Sequence, residues 1–248
     1  MRHRTWIFFS AFILLVLCCD GRPVSAESSS VTLQVIGTDH QPVAKAEASL
    51  FWQVKDGVMT SVSDESAVSD ASGKVVLRYD DRNQKRPVLV LSPDRKLGGI
   101  VGVSKADDGK VLNVSLGPTV RARGRLVCTE LNAKPGWANT MVTPDGFGSR
   151  FAEHMGERAQ FDFLLPAGTY SFNSYGSDAS DHTQKVTLVA ENPDLDLGTI
   201  DLKATPIAKL KGKPAPTWEV TAARGVKPTA KLADYKGRWV YLEFWGFW

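Results

Sequence analysis

From Ser30 onward the chain alternates apolar and polar side chains with a period of two. Val31, Leu33 and Val35 interleave with Thr32 and Gln34, and Gly37-Thr-Asp-His-Gln-Pro42 follows as a turn. Strands are predicted next over Ala44–Trp52 and Val58–Val62. Ser69-Asp-Ala-Ser-Gly-Lys74 is a second turn, leading into Val75–Tyr79. Pro87–Leu91, Ile100–Val103 and Val111–Leu116 are further short apolar runs, with Asp107-Asp108-Gly109 read as a hairpin turn. No helical period is sustained, and turns recur every 8 to 12 residues or so, the pattern of an all-β sandwich.

The pattern restarts near Val120. Val120–Val127 reads as a strand with outward arginines. Phe161–Phe172 reads as a strand, a Leu-Pro-Ala-Gly turn and a second strand carrying Tyr170 and Phe172. Gln184–Val189 and Leu195–Leu202 complete the set. The two stretches form a loose internal repeat of about 90 residues. The expected organisation is a β-sandwich over 29–117 and a second over 118–203, with no long helix in either.

Residues 1–26 carry a different signal. Arg2, His3 and Arg4 precede an apolar run from Trp6 to Leu17, and Val24-Ser25-Ala26 supplies small residues before Glu27. A positive start, a short apolar core and a small-residue site describe a cleaved secretory signal peptide. An uncleaved anchor, or a lipoprotein modified at Cys18 or Cys19, are the alternatives. Periplasmic or cell-envelope export is expected, with no stable membrane span after cleavage.

Charge narrows the partners. Thirty Lys and Arg face 27 Asp and Glu, a net charge of +3. Loss of Arg2, Arg4, Arg22 and Asp20 with the leader would lower this to +1. That balance gives no electrostatic footprint for nucleic acid. Of three cysteines, only Cys128 lies beyond the leader, so no internal disulfide is expected and a small buried hydrophobe is its simplest role. His40, His154 and His182 fall in loop-like text without metal-ligand spacing. Asp194, Asp196 and Asp201 alternate with apolar residues and read as the wet face of a strand rather than a cation site. Arg121, Arg123 and Arg125 form a basic stripe, read as a solvated face before an anion site. Asn113-Val-Ser115 is a formal glycosylation sequon inside a strand. Neither a metal site nor a cofactor is implied.

Two resemblances extend this reading. Val35-Ile-Gly-Thr-Asp-His-Gln-Pro-Val43 with Ala46–Leu50, and Ser69–Val75, resemble the carboxypeptidase regulatory-like family, which implies an accessory or recognition module. Near the C-terminus, Gly212-Lys-Pro-Ala-Pro216, Leu232-Ala-Asp-Tyr-Lys-Gly-Arg-Trp-Val240 and Leu242-Glu-Phe-Trp-Gly-Phe-Trp248 resemble the entry to a thioredoxin-fold redoxin domain of the AhpC/TSA superfamily. That resemblance implies the start of an α/β domain over 204–248 and a thiol-disulfide oxidoreductase acting on protein thiols and disulfides. The residues themselves read as one short helical turn over 232–237, stopped by Gly237, then a near-continuous apolar strand from Trp239 to Phe244 buried on both faces. Phe244, Trp245 and Trp248 would flank the active site, with the first redox cysteine expected just after Trp248. No catalytic cysteine is therefore present in this sequence. The fold class expected is mainly β: two tandem transthyretin- or immunoglobulin-like sandwiches, then the incomplete α/β domain. The alternatives are a non-enzymatic exported β-sandwich binding or spacer protein and a peroxiredoxin-type antioxidant enzyme.

Overall fold

The computed structural model describes residues 28–55, 57–64, 66–80, 84–214, 217, 224–241 and 243. Among them are sixteen strands. The first nine are β1 (Ser28–Ile36), β2 (Glu47–Ser49), β3 (Trp52–Lys55), β4 (Val58–Ser61), β5 (Ala67–Val68), β6 (Lys74–Asp80), β7 (Arg86–Leu91), β8 (Leu97–Val103) and β9 (Val111–Ser115). The rest are β10 (Gly117–Val127), β11 (Ala138–Pro144), β12 (Ala152–Gly156), β13 (Gln160–Pro166), β14 (Gly168–Gly176), β15 (Ala179–Leu188) and β16 (Asp194–Asp201). The longest helix among the described residues is α1 (Pro206–Leu210), capped by the Thr205 hydroxyl, which accepts the Ala208 N–H at 3.1 Å.

The two halves share one connectivity. β1 pairs antiparallel with β6 and parallel with β9, and β10 does the same with β13 and β16. Opposite these lie the series β8-β7-β2-β5 in the first half and β15-β14-β11-β12 in the second. The repeat sensed in the sequence is thus a repeat of topology. The first half adds one device, the hairpin β3–β4, which leaves its own sandwich. Trp52, Gln53 and Val54 of β3 pair in parallel with Ala152, Glu153 and His154 of β12, extending the second half's outer sheet to six strands.

A second junction joins the halves. Gly117 and Pro118 of β10 pair with Gly98 and Leu97 of β8, so β13-β10-β8-β7-β2-β5 run as one sheet, with β16 paired to β10. The approach is close: a Cβ on Gly98 would lie 2.9 Å from the Leu91 side chain and 3.1 Å from that of Pro166, so these neighbours would have to shift.

The apolar run Pro87–Leu91 is explained by this arrangement. Val88 and Val90 enter a core with Val31, Leu33, Val35, Leu77 and Val114. Leu89 and Leu91, on the opposite face of β7, enter a second core with Val120, Phe161, Phe163, Tyr170 and Phe172. A strand covered on both faces has no polar side to alternate with. Trp52, Val54 and Met59 of the transferred hairpin also belong to the second core. Phe161, Phe163 and Phe172 pack with ring centroids 5.7 to 6.0 Å apart.

The Leu-Pro-Ala-Gly corner closes β13 onto β14. Tyr170 is buried, and its hydroxyl donates to the Pro166 carbonyl at 2.7 Å. Burial raises the Tyr170 pKa, so the phenol stays a donor.

Several expectations change. β8 and β9 lie in different sheets, so Asp107-Asp108-Gly109 is a crossing and not a hairpin. It is held to β1 by the Ser30 N–H donating to the Asp108 carboxylate at 2.7 Å. No thioredoxin-type α/β domain is seen among the described residues. Residues Leu232–Tyr235 do form one 3-10 turn, but Trp239, Val240 and Tyr241 are in no strand. Trp239 is fully exposed and Tyr241 is 86% exposed, against the expectation of a strand buried on both faces. No helix among the described residues is long and apolar enough to cross a membrane.

Candidate functional site

A cleft of about 750 Å³ opens where the transferred hairpin meets β12 and β13. Gln53, Lys55, His154, Arg158, Gln160 and Asp162 line it. Alternation along β12 sets the directions. Ala152 enters the second core and His154 packs edge-on against Phe163 of that core, 6.2 Å between ring centroids, while Glu153 and Met155 alternate to the other face. Glu153 accepts a hydrogen bond from Gln53 Nε2 at 3.1 Å, tying the two halves of the chain across the β3–β12 pairing.

His154 is the group sequence reasoning misplaced. It sits in a strand between Thr140 of β11 and Val54 of β3, not in a loop. Its Nδ1 accepts the backbone N–H of Asp162 at 3.0 Å. Burial holds the imidazole below the usual histidine pKa, with the Asp162 charge opposing. An accepting Nδ1 requires the neutral ring with its proton on Nε2. No sequence signal marks this contact, because β12 is recognisable only once β11 and β3 pair with it. His182 also lies in a strand, β15, and is exposed, whereas His40 is in a turn.

The charged stripes explain each other. β10 lies between β13 and β16, which brings Arg121 and Arg123 beside the carboxylates of those strands. Arg121 donates from Nε and Nη2 to the two oxygens of Asp162, the former at 2.8 Å. Arg123 lies 3.5 Å from Asp194 and from Asp196. Neither an open anion site nor a cation site results at these residues. Asp201 is separately occupied: its carboxylate accepts the Thr129 N–H at 2.9 Å and the Thr129 hydroxyl, which together lower its pKa. No group of three His, Cys, Asp or Glu side chains among the described residues is placed to hold a metal ion.

Cys128 is buried in the second core and is the free cysteine of the described residues. The flanking residues Phe244, Trp245 and Trp248 lie outside the described residues.

The chain matches no protein-family model and no curated protein. Solved structures similar to it include the TIE protein of Bacillus anthracis, at 11% identity and TM-score 0.33, covering 71% of this chain and 34% of that one. A streptococcal ancillary pilin matches at 11% identity and TM-score 0.30, covering 73% and 64%. A shaft pilin from Lactobacillus rhamnosus GG matches at 8% identity and TM-score 0.29, covering 72% and 98%. This chain therefore spans a third of the first structure's length and under two thirds of the second's. At such identities and TM-scores the likeness assigns no function.

These findings correct the family expectation. The structural neighbours named above are pilins and a TIE protein rather than thioredoxin-like redoxins, and no family or curated match supports a redoxin, a peroxiredoxin or the carboxypeptidase regulatory-like family. Thiol or disulfide partners lose their support with it, since they came from that resemblance alone. The physical reason for the misreading is that short apolar and aromatic motifs specify strand-forming text without specifying a sheet to receive it.

Proposed function

We propose that this chain is the β-sandwich part of an exported, non-enzymatic binding or spacer protein. The observation that carries the reading is the fusion of the two halves. Trp52, Val54 and Met59, from the first half by sequence, complete the second half's core, and β7 contributes one face to each core. Such a body resists bending at the 117/118 boundary, which suits a unit that holds something at a fixed distance. The boundary itself belongs to this proposal: the halves are two copies of one sandwich that fold as a single unit. Export rests on the residue pattern at 1–26, which lies outside the described residues.

Single-molecule extension tests the spacer reading. Residues 28–204 unravelled in one step would add about 600 Å of contour, at roughly 3.3–3.6 Å per residue. Two separate steps of about 300 Å each would overturn it, because they would show two sandwiches on a hinge. Export is tested by fusing residues 1–60 to a reporter enzyme that is active only outside the cytoplasm. An inactive reporter removes that part of the proposal.

A further inference from the structure

We propose that His154 is a pH-sensitive latch that closes the β13 edge against the outer sheet when neutral and releases it when protonated.

The geometry begins with β13 itself. It is the last strand of its sheet and pairs only with β10, so the alternate N–H groups on its other side face no strand. Such an edge is a free template for another chain unless something covers it. Here two side chains from the outer sheet do so. His154 Nδ1 of β12 accepts the Asp162 N–H at 3.0 Å, and Met59 Sδ of β4 accepts the Leu164 N–H at 3.4 Å. A thioether is a weak acceptor. His154 is therefore the stronger of these two closures.

Protonation reverses the contact. With a proton on Nδ1, two donors face each other and the hydrogen bond is lost. The Asp162 carboxylate, which accepts from Arg121 at both oxygens, opposes the loss through its charge, a smaller effect than burial. The charged groups around His154 from each packed element are few. Lys55 ends β3, Glu157 and Arg158 form the turn after β12, and Asp162 is on β13. Glu153, beside it on β12, points to the opposite face and is engaged with Gln53. Arg123 of β10 is occupied by Asp194 and Asp196. The described parts of β11 and β4 bring no charged side chain.

The sign follows from the depressed pKa. In the unfolded chain a histidine takes up a proton near pH 6.5. In the fold, burial delays that uptake to lower pH. Stability is thus complete above about pH 6.5, falls as pH drops through the interval between the two values, and levels off below the folded one.

Amide exchange followed by NMR on the full chain tests the latch. After correction for chemical exchange, protection of the Asp162 N–H should fall by up to about tenfold per pH unit as pH drops below about 6.5, and level off below the His154 titration of the folded protein. His154→Gln retains an acceptor that does not titrate, and its Asp162 protection should stay flat from pH 7.5 to 5. Unchanged Asp162 protection while His154 titrates overturns the proposal, and so does an equal loss in His154→Gln. The ring nitrogen shifts of the unmodified protein give an independent check if that variant does not fold. A proton on Nδ1 at pH 7.5 would also overturn the latch.

Discussion

Trp52→Ala separates a fused body from two tandem modules. Trp52 lies in the first half of the chain, yet it is fully buried in the core of the second, and Arg95 sits over its ring at 5.0 Å. Truncating a buried Trp to Ala typically costs about 3–5 kcal/mol, from lost transfer energy and the cavity left behind. For a unit of 150–250 residues each kcal/mol shifts Tm by roughly 2–4 °C. The expected drop is therefore roughly 6–20 °C, a large fraction of a typical domain's stability of about 5–15 kcal/mol. Location carries more information than size. Calorimetry should show one transition that moves as a whole. Hydrogen exchange read by mass spectrometry should show peptides of β11 and β14, more than 80 residues downstream, losing protection together with those of β1 and β6. The reasoning fails if β11 and β14 keep full protection while only residues 28–117 are destabilised. It fails equally if calorimetry resolves two transitions and Trp52→Ala moves one of them. The Gln53–Glu153 hydrogen bond at 3.1 Å and the Trp52 N–H donating to the Phe151 carbonyl at 2.8 Å would then contribute little to coupling.

Two further outcomes are expected. Tyr170→Phe removes the donor to Pro166 in a buried corner and should cost about 1–3 kcal/mol by urea denaturation, since the Pro166 carbonyl loses its partner; a change below 0.5 kcal/mol would mean that water takes over the bond. Deleting residues 212–248 retains the ion pairs Lys209–Glu130 and Lys211–Asp178 that fasten α1, so Tm should change little while solubility rises through loss of the exposed Trp239 and Tyr241. A fall in Tm of more than about 5 °C would assign the tail to the core.

Period-two text and turn chemistry were sufficient for the strands that bury one face. Val31, Leu33 and Val35 reappear as the buried side of β1, and Phe161, Phe163 and Leu165 as that of β13. The Leu-Pro-Ala-Gly corner was legible because a turn and its tyrosine are neighbours in sequence. What the sequence could not determine was where the hairpin β3–β4 goes. Its alternation fits either sandwich, and the choice depends on β12, whose Ala-Glu-His-Met-Gly has too few apolar residues to announce a strand. His154 was missed for that reason, since its contact with Asp162, eight residues on, exists only once β12 is a strand paired with β3, about 100 residues upstream. The arginine and aspartate stripes were each visible alone, but their pairing needed β10 to lie between β13 and β16. The C-terminal aromatic run marks the limit of local reading. Strand propensity belongs to a segment, whereas burial belongs to the surface that receives it, and Trp239 and Tyr241 meet none here.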